Sequence, residues 1–470
     1  MGTGVGSGNN TMLEKKDRIS ELPNEILVSI LNRLSMEEAT RTSVLSRRWK
    51  KLPTMSFIAR HSLELVWNTS GTTGNWDFSG NTDKWDFVEW VDRILALRSS
   101  TTKKASVTLG DLAIRYDLNR SFQKYIDGWV SFACEKGVKR LELDFSGSTE
   151  KKGILVPYGF PQVEKICTMS KPCGSPTSFY SLKELRLIDL NVSGEVLEHF
   201  LSNSPFLERL FVDRSQSLVN LKVGSSSSSL NLKCLGIRLC YGMRSLKISA
   251  PNLVSFRYDG YMKYLFFENV PILSELSLGD IAPYFISYDA NRLFGHLSQL
   301  RKLKLDMDLS VFSNVASNFY NEPQTFLKLN NLEQLEMVIS SEHNLCLLWT
   351  CALVKAAPFL RRFAIEMTFE TDDVWREDVC DHALTDLPAV PEDYEKELLK
   401  VIRCSHPFLE VVELTGFTGN PNTVELASHL LAIAISLKEI IIGTTKDEKA
   451  RKSAERLRAR ISPGVNLVLL

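Results

Sequence analysis

Residues 182–212, LKELRLIDLNVSGEVLEHFLSNSPFLERLFV, decide the fold. The stretch opens and closes on one phrase, apolar at i, i+3 and i+5: LKELRL at 182 and LERLFV at 207. Side chains alternate across an extended segment, so the leucines of each phrase face a core while the residues between them face away. Between the phrases, EVLEHFLSNS has helical spacing and Pro205 ends it. Proline cannot donate the N–H a helix needs and favours an extended residue before it. The unit is strand, helix, stop, strand.

Working outward, the phrase recurs as VKRLEL at 138, LKCLGI at 232, LSELSL at 273, LRKLKL at 300, LEQLEM at 332, LRRFAI at 360, LEVVEL at 409 and LKEIII at 437. Intervals of 25, 25, 27, 32, 28 and 28 residues separate many of them. These are close to the roughly 20 to 29 expected when each unit is a strand with a returning helix. Gaps of 44 and 49 residues read as insertions. Pro251, Pro271, Pro358 and Pro407 each stand, like Pro205, two positions before the leading leucine. LVNLKV at 218, MRSLKI at 243 and LVSFRY at 253 lie 10 or 11 residues from neighbours, too close for a helix, and read as compressed repeats without one. The arrangement resembles the degenerate leucine-rich repeats of plant F-box proteins.

The other decisive stretch is residues 17–57, DRISELPNEILVSILNRLSMEEATRTSVLSRRWKKLPTMSF. Ile26, Leu27, Ile30, Leu31 and Leu34 fall on one helical stripe behind Pro23 at the helix entrance. Ser35 and Glu38 form an S-x-x-E capping box that starts a second helix at Met36. Val44 and Leu45 follow, and Ser46 is placed to cap a third turn containing Trp49 and Leu52. About forty residues with this much apolar surface call for a partner. The order LP, I-L-x-x-I-L, S-V-L-S-x-R-W resembles an F-box, the module by which substrate receptors dock on a Skp-type adaptor in cullin-based ubiquitin ligases. The sequence departs from the usual plant pattern at Asn24, where an acidic residue is common, and at Pro53, where an aromatic often stands. The resemblance implies adaptor contacts by Leu22, Pro23, Ile26, Leu27, Ile30, Leu31, Leu34, Val44, Leu45 and Trp49.

A polar run from Asn68 to Lys84 reads as a loop, followed by helical runs at Trp85, Val88, Val91, Ile94 and Leu95 and at Phe122, Ile126, Trp129, Val130 and Ala133. The last eighty residues pack helix, strand, helix and strand, with a turn from Gly416 to Pro421, and resemble the FBD region that follows repeats in many plant F-box proteins. Lys449, Arg451, Lys452, Arg456, Arg458 and Arg460 are interleaved with Asp447, Glu448 and Glu455, and Ala450, Ala454, Leu457 and Ile461 make an apolar seam. That pattern is a surface helix rather than a nucleic-acid stripe.

The expected fold is therefore α/β: a flexible tail at 1–16, a three-helix F-box at 17–60, a linker and helical start at 61–137, an irregular leucine-rich-repeat solenoid or horseshoe at 138–390, and an FBD-like α/β cap at 391–470. Its concave face would carry target contacts from Lys183, Glu184, Arg186, Glu208, Arg209, Phe211, Arg301, Lys302, Lys304, Glu333, Gln334, Glu336, Arg361 and Arg362.

Composition bounds the function. At 470 residues the chain exceeds what one compact core usually holds. Fifty-six basic and fifty-six acidic residues give zero formal charge, against a broad nucleic-acid footprint or an acidic membrane surface. Nine scattered cysteines suggest neither a zinc C-x-x-C pair nor a disulfide scaffold, which fits a reduced nucleus or cytoplasm. MGTGVGSGNN has no signal-peptide core, Gly6 breaks a myristoylation motif, and no run of eighteen apolar residues occurs.

No phosphate loop, H-E-x-x-H helix or G-x-S-x-G elbow is present. His343, Cys346 and Cys351 lie on an apolar run that reads as core, and Ser225 to Ser229 reads as a loop. The expectation is a receptor with no catalytic residue, no metal and no cofactor. Its partners would be a Skp-type adaptor, through it a cullin scaffold, and an unidentified protein target, with neither nucleic acid nor membrane. The contrasting expectation is a repeat scaffold that binds the adaptor without promoting degradation.

Overall fold

A computed structural model describes residues 19, 21–34, 36–49, 51–66, 82–101, 109–146, 156–163, 179–224, 230–260, 264–280, 297–308, 329–341, 347–369, 405–445 and 447–470. The chain is mixed α/β and divides into two compact units, Met1–Tyr116 and Asp117–Leu470. The division falls inside the segment expected to link the F-box to the repeats.

In the first unit, α1 (Asn24–Leu31), α2 (Met36–Arg41) and α3 (Leu52–Ala59) pack together. Pro23 stands at the N-cap of α1, where its missing N–H costs nothing. Arg60 donates from Nη2 to the Leu31 and Leu34 carbonyls at 2.6 and 2.8 Å, placing a cation at the C-terminal end of α1, where the helix dipole is negative. The third helix begins later than the sequence suggests. Ser46 Oγ does accept the Trp49 N–H at 3.3 Å, yet Trp49 lies in a turn and α3 starts at Leu52 with Pro53 inside its first turn. Ser35 lies outside the described residues.

β1 (Ser62–Val66) and β2 (Asp111–Arg115) pair in parallel, and α4 (Thr82–Thr101) buries Phe87, Val88, Val91, Ile94 and Leu95. Trp85, expected on the same stripe, is exposed. Arg98 is buried and donates from Nη1 to the Phe57 carbonyl at 3.0 Å, tying α4 to the end of α3.

The second unit begins with α5 (Gln123–Lys136), whose C-cap Gly137 is left-handed, and continues as a large parallel sheet. Its strands are β3 (Arg140–Asp144), β4 (Glu184–Ile188), β5 (Arg209–Asp213), β7 (Cys234–Arg238), β9 (Ser255–Asp259), β11 (Glu275–Leu278), β12 (Lys302–Asp308), β13 (Gln334–Ser341), β14 (Arg362–Phe369), β15 (Val411–Phe417), β16 (Glu439–Thr444) and β17 (Asn466–Leu469), in that spatial order. Every phrase leucine at 182, 185, 187, 207, 210, 232, 235, 273, 276, 300, 303, 332 and 335 is buried; those within the strands, at 185, 187, 210, 235, 276, 303 and 335, share one face of the sheet by alternation, and the leading leucines precede their strands. At about 1.5–3 kcal/mol for each fully buried aliphatic side chain, this repeated burial drives the stacking.

Between β5 and β11 the sequence expectation is corrected. LVNLKV and MRSLKI are not compressed repeats of this sheet. They supply β6 (Asn220–Val223) and β8 (Ser245–Ser249), which pair with β10 (Tyr264–Asn269) in a second, three-stranded parallel sheet. LVSFRY does supply a main-sheet strand, β9. Ten or eleven residues suffice for strand, turn and strand, so this stretch alternates between two sheets where the connections after β4, β13, β15 and β16 carry a helix. Gly194–Asn203 is such a helix, with Ser193 capping the Val196 N–H, and it packs on β6.

Three successive strands end alike. Asp189, Arg214 and Leu239, each the residue after its strand, have φ of 58°, 55° and 50°. Each donates its N–H to the last residue of the next main strand, at 2.9 Å to Asp213, 2.9 Å to Arg238 and 2.5 Å to Asp259. The left-handed turn thus closes the ladder between repeats. At the far end, helices Pro421–Ile433 and Glu448–Leu457 accompany β15 and β16, with Ala450, Ala454 and Leu457 buried as expected. Residues 392–404, read as a helix from sequence, lie outside the described set.

Candidate functional site

Two surfaces carry features that packing alone does not require. On the three-helix unit the apolar stripe divides. Leu27, Leu31 and Trp49 are buried within the unit, with Ala39, Leu52 and Phe57. Ile26, Ile30, Val44 and Leu45 are 48%, 42%, 85% and 64% exposed, Pro23 is exposed, and Leu22 and Leu34 are half-buried. Arg48 joins the ends of this segment: its Nη2 donates to the Leu22 carbonyl at 2.5 Å, and its Nε and Nη2 reach Asn24 Oδ1 at 3.0 and 2.8 Å. The Leu22–Pro23 entrance is thereby fixed to the turn that follows Val44 and Leu45. Exposed branched residues held on a braced scaffold make a surface whose burial by a partner would be favourable without reordering the chain.

The other surface is the main-sheet face opposite the leucines. In-register pairing arranges it as rows running across strands. One row reads Arg140, Glu184, Arg209, Cys234, Ser255, Glu275, Lys302, Gln334, Arg362; the next reads Glu142, Arg186, Phe211, Gly236, Arg257, Ser277, Lys304, Glu336, Ala364, Glu413. The buried Glu184 carboxylate sits at the centre of an ion network. Arg186 Nε donates to Oε1 at 2.5 Å, Arg209 Nε to Oε2 at 2.8 Å, and Arg140 Nε lies 3.7 Å from Oε1. Burial pushes this carboxyl up, but hydrogen bonds from Arg186 and Arg209 and their charges outweigh burial and hold it below the usual range.

The Arg186 guanidinium lies over the Phe211 ring, 4.2 Å from its centroid. On the next strand Gly236 makes room for that ring, since a Cβ there would fall 2.6 Å from Phe211 Cδ1. Lys302 pairs with Glu336 at 2.8 Å, and Arg362 with Glu413. A third row, Asp144, Ile188, Asp213, Arg238 and Asp259, carries three aspartates, with Arg238 between Asp213 and Asp259 at 3.5 and 3.4 Å. Burial pushes the Asp213 and Asp306 carboxyls up, and neighbouring aspartates add to it. Among the described residues no group of His, Cys, Asp and Glu has the makings of a metal site, and no helix is long and apolar enough to cross a membrane.

The F-box domain model matches residues 19–58, and the model described as the At1g61320/AtMIF1 LRR domain matches residues 100–464. The chain belongs to the plant F-box/FBD/LRR family. The Arabidopsis thaliana F-box/FBD/LRR-repeat protein At1g13570 is 25% identical over 98% of this chain and 100% of its own length. The putative FBD-associated F-box protein At5g56560 is 25% identical over 97% and 100%, and F-box protein At3g59000 is 25% identical over 92% and 87%, both from the same plant.

Within this F-box/FBD/LRR chain, the residues picked from sequence divide by position. Leu27, Leu31 and Trp49 hold the F-box together instead of lining its surface, because the inner flank of the stripe is consumed by helix packing. Arg301, Glu333 and Arg361 each stand one residue before their strands, at the turn, and not on the sheet face. Their carbonyls instead accept the incoming N–H groups of the next repeat, as when Arg301 O accepts from Glu333 and Gln334 at 2.8 and 3.0 Å. Arg186, Arg209, Phe211, Lys302, Lys304, Glu336 and Arg362 do lie on the face. Sequence reading passed over Arg140, Glu142, Arg238 and Gly236. The third and fifth positions of VKRLEL and LKCLGI would have given Arg140, Glu142 and Gly236, but nothing in one dimension marks Gly236 as the gap into which Phe211 lies. His343, Cys346 and Ser225 to Ser229 lie outside the described residues, while Cys351 is buried in the helix Thr350–Ala356.

Proposed function

We propose that this chain is the target-recognition subunit of a Skp-cullin-F-box ubiquitin ligase. Its F-box domain docks on a Skp-type adaptor, and through it a cullin scaffold, by Pro23, Ile26, Ile30, Val44 and Leu45. The observation that carries this reading is the exposure of Val44 and Leu45, two large apolar side chains held beside a braced helix entrance. We read the parallel sheet as the inner face of a leucine-rich horseshoe, closed by an FBD-like cap over the last eighty residues, with the charged rows contacting a protein target. The chain itself supplies no catalytic group: it raises the effective concentration of the target near a conjugating enzyme carried elsewhere in the assembly. We place it in the nucleus or cytoplasm, as the scattered cysteines suggest.

The test is co-purification of the full chain with a Skp-type adaptor, comparing the parent with Val44→Asp plus Leu45→Asp. These positions are exposed, so the fold survives the change and circular dichroism should not move. Loss of the complex in the variant is the expected result. A folded parent that captures no adaptor overturns the reading.

A further inference from the structure

The Glu184 carboxylate engages Arg186 and Arg209 only through their Nε atoms. Among the described residues, nothing accepts a hydrogen bond from the Nη groups of either guanidinium. The carboxylate is buried while Arg186 is half-buried and Arg209 exposed, so the network fixes two forks and leaves their outer edges toward solvent. Arg140 stands on the neighbouring strand, paired to Glu142 at 2.6 Å, and gives the group three cations against two carboxylates. Phe211, seated across Gly236, supports the Arg186 plane. Guanidiniums held this way bind a planar anion bidentately with little loss of side-chain freedom.

We propose that Arg186 and Arg209, stiffened by Glu184 and Phe211, form the anchor point for a target segment bearing acidic side chains, with a Glu or Asp carboxylate received on the free Nη edges. The inference rests on the receptor reading and specifies the partner's chemistry. Charge complementarity selects this occupant: the surplus cation lies in the first two rows, and the aspartate row at the strand ends repels an anion placed there, which fixes where the acidic side chain must sit.

The probe is a fluorescein-labelled peptide with four consecutive glutamates flanked by glycines, titrated with the full chain at low salt and followed by anisotropy. A glutamine counterpart and a phosphoserine counterpart run beside it. The expected result is binding of the glutamate peptide at least about tenfold tighter than the glutamine peptide, and weakening by about tenfold in Arg186→Ala and in Arg209→Ala. The double variant Arg186→Lys, Arg209→Lys keeps the charge and loses the forks, so it too should weaken binding, with circular dichroism unchanged.

Equal binding of the glutamate and glutamine peptides, or arginine variants that bind like the parent, overturns the proposal. Phosphoserine binding about a hundredfold tighter than glutamate also overturns it, in favour of a phosphorylated segment. Adaptor capture by the same preparations is a separate readout. Peptide binding without capture removes the receptor reading and leaves the anion site standing, and capture without peptide binding does the reverse.

Discussion

The F-box and the main sheet expose opposite chemistry. The F-box keeps leucines and a tryptophan inside and still leaves Ile26, Ile30, Val44 and Leu45 in solvent; the sheet spends its leucines on the core and presents arginine–carboxylate pairs. A partner of the first surface gains mainly from buried apolar area, which is weakly dependent on salt. A partner of the second must match charges, which favours discrimination and salt sensitivity over raw affinity. The difference suits the roles proposed above, a common adaptor at one surface and a selected target at the other.

That contrast can be broken most severely at the sheet core. Leu335→Ala, at a fully buried phrase position, should lower stability by about 3 kcal/mol, read from urea unfolding, because the parallel neighbours cannot close the cavity. In the F-box, Leu27→Ala should cost about 2–4 kcal/mol within that unit, whereas Val44→Asp should leave its stability within about 0.5 kcal/mol while abolishing adaptor capture. If Leu27→Ala left a folded F-box that had merely lost the adaptor, the division into core and surface would be mistaken.

Smaller effects sharpen the electrostatic half. Glu184 has a folded pKa below its unfolded value, so its contribution is present above the unfolded pKa and disappears as pH falls through the folded one. Glu184→Gln should therefore be destabilised at pH 7 and approach the parent in acid. Asp306 has a raised folded pKa, so the parent gains on protonation as pH falls. Asp306→Asn should be slightly more stable than the parent at pH 7, and that advantage should shrink in acid. Parallel unfolding curves at both pH values would show the opposite signs. The mildest change is Leu239→Asn: a branched side chain at φ 50° is strained, and asparagine tolerates that region, so a gain of about 1 kcal/mol is expected by thermal unfolding.

Much of this was legible in sequence because period and punctuation are local. The phrase L-x-x-L-x-L marks a strand wherever it falls, and proline two residues earlier marks the turn. The same locality misled at 218 and 243, where the phrase is present but the strand belongs to the smaller sheet. A strand's leucines say that it is buried on one face, not which sheet will bury it. Likewise the F-box stripe names the apolar residues without dividing them, since Leu27 and Ile26 differ only in which flank α3 covers.

The sequence by itself determined the two modules, the repeat unit and the parity of core and surface along each strand, because these follow from side-chain alternation and helical period. Only the tertiary structure decided that Glu184 would gather Arg186 and Arg209, that Phe211 would lie across Gly236, and that Val44 and Leu45 would remain uncovered. Those outcomes depend on register between strands some twenty-five residues apart and on which helix occupies which face, and no local pattern encodes them.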